Sequence, residues 1–296
     1  MADSFREIRF DASDGLHLYG RLYEPDVKTD NLPVICLPGL TRNSRDFHEL
    51  AVFLSQHPQT PRRVITFDYR GRGQSDYDPD WSHYNIGIEA GDVLAGLAHL
   101  QIARAIFLGT SRGGLITHIL AAIAPHVLAG VIFNDIGPEI AVEGLQQIGS
   151  YLKGAKQPRN WADAAELQRS VHGPAFPALT NEDWDRFARA IYREDNGTIL
   201  SDYDPNLLKT MENVDFSQKL PDLWVQFDLL KDLPLLVIRG ENTKLLAQET
   251  VDGMARRHSA LQVFNVAGQG HAPLVETGRL PDLIAAFAEG ADIRTA

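Results

Sequence analysis

The chain has 296 residues, 44% of them hydrophobic, which is enough for a large core and too apolar for a disordered segment. Its charges sum to −11 and its isoelectric point is near 5.3, which excludes a general binder of nucleic-acid backbones, since such proteins need clustered Lys and Arg. Cys36 is the single cysteine, so an internal disulfide and the paired-cysteine spacings of zinc and redox sites are ruled out.

Met1 to Arg6 carries no basic start followed by an apolar stretch, and no apolar run approaches the roughly 18 residues of a membrane span. The expectation is a cytoplasmic protein without membrane or nucleic-acid partners; a homodimer is compatible with this composition. Residues 6–10 and 16–23 read as an antiparallel hairpin around Asp14-Gly15. Residues 33–37, 64–69, 104–108 and 128–133 are short apolar runs that end at Gly, Pro or a polar residue, the pattern of strands buried on both faces. Helical stretches separate them at 47–56, 84–100 and 115–124, the last closed by Pro125.

From Gly137 to about Lys231 the alternation stops. Only helix-like pieces appear there, at 140–152, 161–171 and 182–192, together with Trp161, Trp184 and Trp224. Alternation resumes with 233–239, 245–257, 261–266 and 280–287. This order predicts an α/β core from 1–136 and 232–296, interrupted by an all-helical insertion at 137–231.

Residues 104–108 run into Gly109-Thr110-Ser111-Arg112-Gly113-Gly114 and then into an apolar helix, so a G-x-S-x-G stands at a strand-to-helix turn. A serine there projects its hydroxyl from the sheet, and the helix N-terminus adds backbone N–H groups where an oxyanion would form. The bland alternative is a glycine-rich connection. A hydroxyl needs a base. Among ten histidines, His271 follows the late strand in Gly268-Gln269-Gly270-His271 and lies C-terminal to Ser111. The other nine are scattered singly, so no metal site is expected, and no cofactor is implied. His118 and His126 flank the helix after Ser111 and read as residues that pack or face water. The acidic runs 76–80 and 201–205 lack a calcium-loop spacing and read as solvated loops.

Together these residues resemble the α/β-hydrolase superfamily over nearly the whole chain. The resemblance implies a mostly parallel eight-stranded sheet with helices on both faces and an inserted helical cap. Leu37-Pro38-Gly39-Leu40 resembles the loop after the third strand, with Pro38 in place of the usual histidine. By that likeness the backbone amides of Leu40 and Arg112 form an oxyanion hole. Asp68-Tyr69-Arg70-Gly71-Arg72-Gly73-Gln74-Ser75 resembles the family's D-x-R-G-x-G-x-S segment and reads as structural.

The acid departs from the pattern. The loop after 233–239 usually delivers an aspartate four residues beyond its glycine, and that position holds Lys244. An ammonium cannot accept an imidazole N–H. Asp135, after the strand at 128–133, and Glu241 are the substitutes, with loss of a functional acid as the third possibility. Asp135 also has a plain reading as a turn residue. The expected activity is a serine hydrolase of apolar or aromatic esters or lactones. A carbon–carbon hydrolase or perhydrolase on the same Ser/His pair and a catalytically weakened ligand-binding protein are the alternatives. Haloalkane dehalogenase and epoxide hydrolase are disfavoured, because both place an aspartate where Ser111 stands.

Overall fold

The protein is described here from a computed structural model covering residues 4–212 and 220–295. The strands are β1 (Arg6–Asp11), β2 (His17–Tyr23), β3 (Val34–Leu37), β4 (Val64–Asp68), β5 (Ala105–Thr110), β6 (Leu128–Asn134), β7 (Tyr192–Asp195), β8 (Thr198–Ser201), β9 (Leu235–Gly240) and β10 (Leu261–Val266). Eight of them form one sheet in the order β1-β2-β4-β3-β5-β6-β9-β10. Only the β1–β2 and β2–β4 pairings are antiparallel. The helices are α1 (His48–Ser55), α2 (Ile86–His99), α3 (Arg112–Ile123), α4 (Val142–Lys153), α5 (Trp161–His172), α6 (Asn181–Ile191), α7 (Lys209–Glu212), α8 (Trp224–Asp228), α9 (Gln248–Arg257) and α10 (Leu280–Thr295).

Side chains that alternate along each strand go to opposite faces, and both faces are covered. Ile35, Leu37, Ile65, Phe67 and Phe107 join one cluster with Val93 and Leu97 of α2 and Ile116 and Leu120 of α3. Val34, Cys36, Val64, Ile106 and Leu108 join the other with Leu50 and Leu54 of α1 and Ile284 and Ala288 of α10. The Cys36 thiol packs here, and burial pushes its ionisation upward. No helix among the described residues is long and apolar enough to cross a membrane.

The segment after β6 differs from the all-helical expectation. Its helices α4, α5 and α6 lie where the periodicity predicts them, but β7 and β8 form a hairpin with Asp195 opposite Thr198. The turn is Asn196-Gly197, both at positive φ (49° and 79°), the strongest short-range hairpin signal a sequence offers. The strands are four residues each, too short for an alternation pattern to stand out from the end of α6. Residues 213–219 of the predicted insertion lie outside the described residues. The segment has its own small core of Ala164, Phe176, Trp184, Ala188, Tyr192 and Ile199.

Polar ties hold it over the carboxyl ends of the strands. Arg45 forms an ion pair with Asp202 at 2.7 Å and donates to the carbonyls of Arg189, Ala190 and Tyr192. Gly73 N donates to the Asp202 carbonyl, and Asp204 N to that of Gly71. The acidic runs are therefore not simply solvated loops. Asp78, Asp202 and Asp204 are buried, Asp78 on the Arg70 guanidinium and Asp204 on the Tyr84 hydroxyl at 2.5 Å. The Arg45 and Tyr84 partners are distant in sequence and reach Asp202 and Asp204 only on folding.

Candidate active site

β5 ends at Thr110 and α3 begins at Arg112, so Ser111 makes the whole turn, at φ 52° and ψ −114°. A non-glycine residue in such a conformation costs of order 1–3 kcal/mol and persists only where its surroundings impose it. Here the surroundings do so sterically. A Cβ on Gly109 would meet the Gly113 backbone at 2.6 Å, and one on Gly113 would meet the Leu37 carbonyl oxygen at 2.1 Å. Both glycines of the motif are thus needed for strand and helix to approach.

His271 lies on the loop after β10 with its Nε2 2.9 Å from Ser111 Oγ. Its Nδ1 is 2.8 Å from Asp135 Oδ2. With the Nδ1 proton donated to the carboxylate, Nε2 presents its lone pair to the serine hydroxyl. Asp135 is fully buried at the end of β6, at φ 54°. A buried carboxylate needs partners, and this one has them. Oδ1 accepts from Gly240 N at 2.8 Å, and Oδ2 also accepts from Thr243 Oγ1 at 2.5 Å.

The two other residues weighed for the acid lie elsewhere. Glu241 accepts from Gly268 N at 2.8 Å and ties down the loop that leads to His271. Lys244 points to solvent, 3.5 Å from an exposed Glu143. Sequence reasoning passed over Thr243 and Asn134. Thr243 carries no signal beyond its place beside Lys244. Asn134 donates to Thr110 Oγ1 and to the Pro273 carbonyl, joining the serine strand to the histidine loop.

Gly39 faces Ser111 so closely that a Cβ there would lie 3.8 Å from the serine Cβ, which brings the loop bearing Leu40 to the nucleophile. The Arg112 side chain is drawn off to Glu89 at 2.6 Å and the Tyr84 carbonyl, leaving its backbone amide at the start of α3 beside Ser111. Glu89 is buried between Arg112 and Arg72, so this position is anchored from below.

Ser111 and His271 open into a cavity of about 670 Å³ whose walls include Leu40, Tyr151, His172 and Phe187. The tryptophans of the insertion are not among its lining residues; Trp184 fills the insertion's own core and Trp224 meets Phe227 edge-on at 5.8 Å. Arg42 caps one wall, clamped on Asp46 and lying over the Phe187 ring at 4.4 Å. Burial pushes the Glu276 carboxyl up to about 7, with Asp46 adding to the effect and Arg186 and Arg42 opposing it. His118 is no part of this site. It stacks on Phe133 at 4.5 Å, and burial holds it down to about 4. Asp14, Asp78 and His83 stand close enough to share a cation, but Arg70 already donates to both carboxylates at 2.8 and 2.6 Å.

A G-x-S-x-G elbow, a Ser–His–Asp line and this sheet order define an α/β hydrolase, and residues 33–277 match the α/β hydrolase fold family. The chain belongs to that family and is a hydrolase by its relatives. It is 30% identical over 252 residues to a 3-hydroxybutyrate-oligomer hydrolase of Cupriavidus necator, covering 81% of this chain and 82% of that one. It is 27% identical to a 2-(acetamidomethylene)succinate hydrolase of Mesorhizobium japonicum over 79% of each chain. The crystal structure of an α/β hydrolase from Novosphingobium aromaticivorans superposes with a TM-score of 0.87 at 35% identity, over 97% of this chain and 98% of that one.

Proposed function

We propose that this protein is a serine hydrolase that cleaves carboxylic esters or lactones through an acyl-enzyme on Ser111. The observation that carries the reading is the continuous hydrogen-bonded line Ser111–His271–Asp135 opening into a cavity. His271 Nε2 takes the hydroxyl proton as Oγ attacks the acyl carbon, and the Leu40 and Arg112 amides receive the oxyanion. The C–O bond to the alcohol then breaks, with His271 returning the proton to the leaving oxygen. Water repeats the sequence on the acyl-enzyme and releases the acid. Asp135 holds the imidazole in its Nδ1–H tautomer and stabilises the imidazolium.

The cavity is lined by both apolar and polar groups, and the relative from Cupriavidus necator acts on 3-hydroxybutyrate oligomers. Aliphatic esters whose acyl or alcohol part carries oxygen are accordingly the first substrates to try. The weakened-binder reading rested on Lys244. With Asp135 on His271 Nδ1, that motive disappears. The test is turnover of an activated short-chain ester together with labelling by a fluorophosphonate. Wild type is expected to turn over and to be labelled, and Ser111→Ala to lose both. Equal turnover by the variant would end the proposal.

A further inference from the structure

His172 ends α5, within the segment that covers the sheet, and lines both the cavity above Ser111 and a second one of about 540 Å³. The second cavity lies against the 241–245 loop, and His271 is the other imidazole common to both. The His172 ring is held edge-on by Tyr151 at 4.9 Å, Phe187 at 5.9 Å and Phe176 at 6.5 Å. Among the described residues no side chain or carbonyl hydrogen-bonds either of its ring nitrogens. Burial, with the nearby Arg42 and His271, holds its ionisation down to about 4, so at neutral pH the ring is uncharged. It then offers one donor and one acceptor.

The ring is half-buried on the cavity wall, so a ligand that displaces solvent from it must pair with it or leave it unsatisfied. The place of that partner follows from the chemistry. The leaving oxygen must lie within reach of His271 Nε2 to collect the returning proton, so a group on the His271 wall faces the alcohol half of an ester. We propose that His172 is a specificity-determining residue that hydrogen-bonds an oxygen on the alcohol portion of the substrate, selecting hydroxyl-bearing or hydroxy-acid alcohols over plain alkyl ones. This rests on the ester-hydrolase reading and specifies the leaving group that reading left open.

The test compares two esters of one acid, 3-hydroxypropyl butyrate and butyl butyrate, whose alcohols differ by a hydroxyl in place of a methyl. Each is measured with wild type, His172→Phe and His172→Gln. The wild-type ratio of kcat/KM for the hydroxylated over the plain ester is expected to fall about tenfold or more in His172→Phe, mostly through KM. In His172→Gln, whose amide still pairs with a hydroxyl, part of the preference returns. A packing role would lower both esters together and leave the ratio unchanged in both variants, which overturns the proposal. Should His172→Phe not fold, His172→Leu, which also lacks a hydrogen-bonding group, gives the same comparison against wild type. Fluorophosphonate labelling of wild-type Ser111 separates the two failures. Labelling with an unaltered ratio refutes the role of His172 alone, whereas no labelling removes the ester-hydrolase reading and this inference with it.

Discussion

Asp135 Oδ2 lies 2.8 Å from Nδ1 of His271, 136 positions further along the chain. The carboxylate comes from the end of β6, while the position where the family pattern leads one to look, after β9, holds Lys244. The exchange works because β6 and β9 are adjacent parallel strands, with Asn134 opposite Ile238. Asp135 N donates to the Ile238 carbonyl, and Gly240 N donates to the Asp135 carboxylate. The ends of the two strands therefore open onto one place, and an acid can be supplied from either.

Asp135→Asn keeps the shape but removes the charge that orients the imidazole, and kcat for an activated ester is expected to drop about 10⁴-fold. Lys244→Ala touches only a solvent-exposed ion pair and should leave kcat within about a factor of three. A loss with Lys244→Ala that matches the Asp135→Asn loss would contradict this assignment of the acid.

Thr243 Oγ1 donates to Asp135 Oδ2 and accepts from Leu245 N at 3.1 Å. Thr243→Val is close in shape but leaves both buried partners short of a bond. Urea unfolding should register a destabilisation of about 1–3 kcal/mol, accompanied by a lower kcat as the carboxylate loses a fixed contact. An unchanged urea midpoint would mean that this hydroxyl is dispensable.

Glu89 is fully buried between Arg72 at 2.8 Å and Arg112 at 2.6 Å. Burial alone would raise its carboxyl, but Arg112 and Arg72 outweigh it and hold it below the ordinary range. Because the folded value is depressed, its contribution to stability is present above the unfolded value near about 4.3 and fades as pH falls through the folded one. Glu89→Gln should cost about 3–5 kcal/mol at neutral pH by leaving buried guanidinium charge unpaired. The gap to wild type should narrow as acid unfolding is followed towards about pH 3. A gap that stays constant with pH would show that the charge is not what stabilises the site.

Sequence legibility tracked local chemistry. The G-x-S-x-G context marked Ser111 because the steric demands on Gly109 and Gly113 arise within a few residues. The glycines around His271 and its place after β10 marked the base in the same way. The hairpin at Asn196-Gly197 was written in the chain but hidden by strands of four residues. Asp78, Asp202 and Asp204 looked like loop acids because a composition pattern does not reveal a partner such as Arg70 or Arg45, reached only by folding.

By itself, then, the amino-acid order determined the α/β alternation and singled out the candidate nucleophile and base, since periodicity and turn chemistry act over short distances. It left Asp135, Glu241 and no acid at all as open choices, and it said nothing of Thr243 or His172. Only the tertiary structure decided among these. Which carboxylate reaches a ring nitrogen depends on how neighbouring strands end, and what a side chain on the covering helices faces depends on how that segment is tied across the sheet.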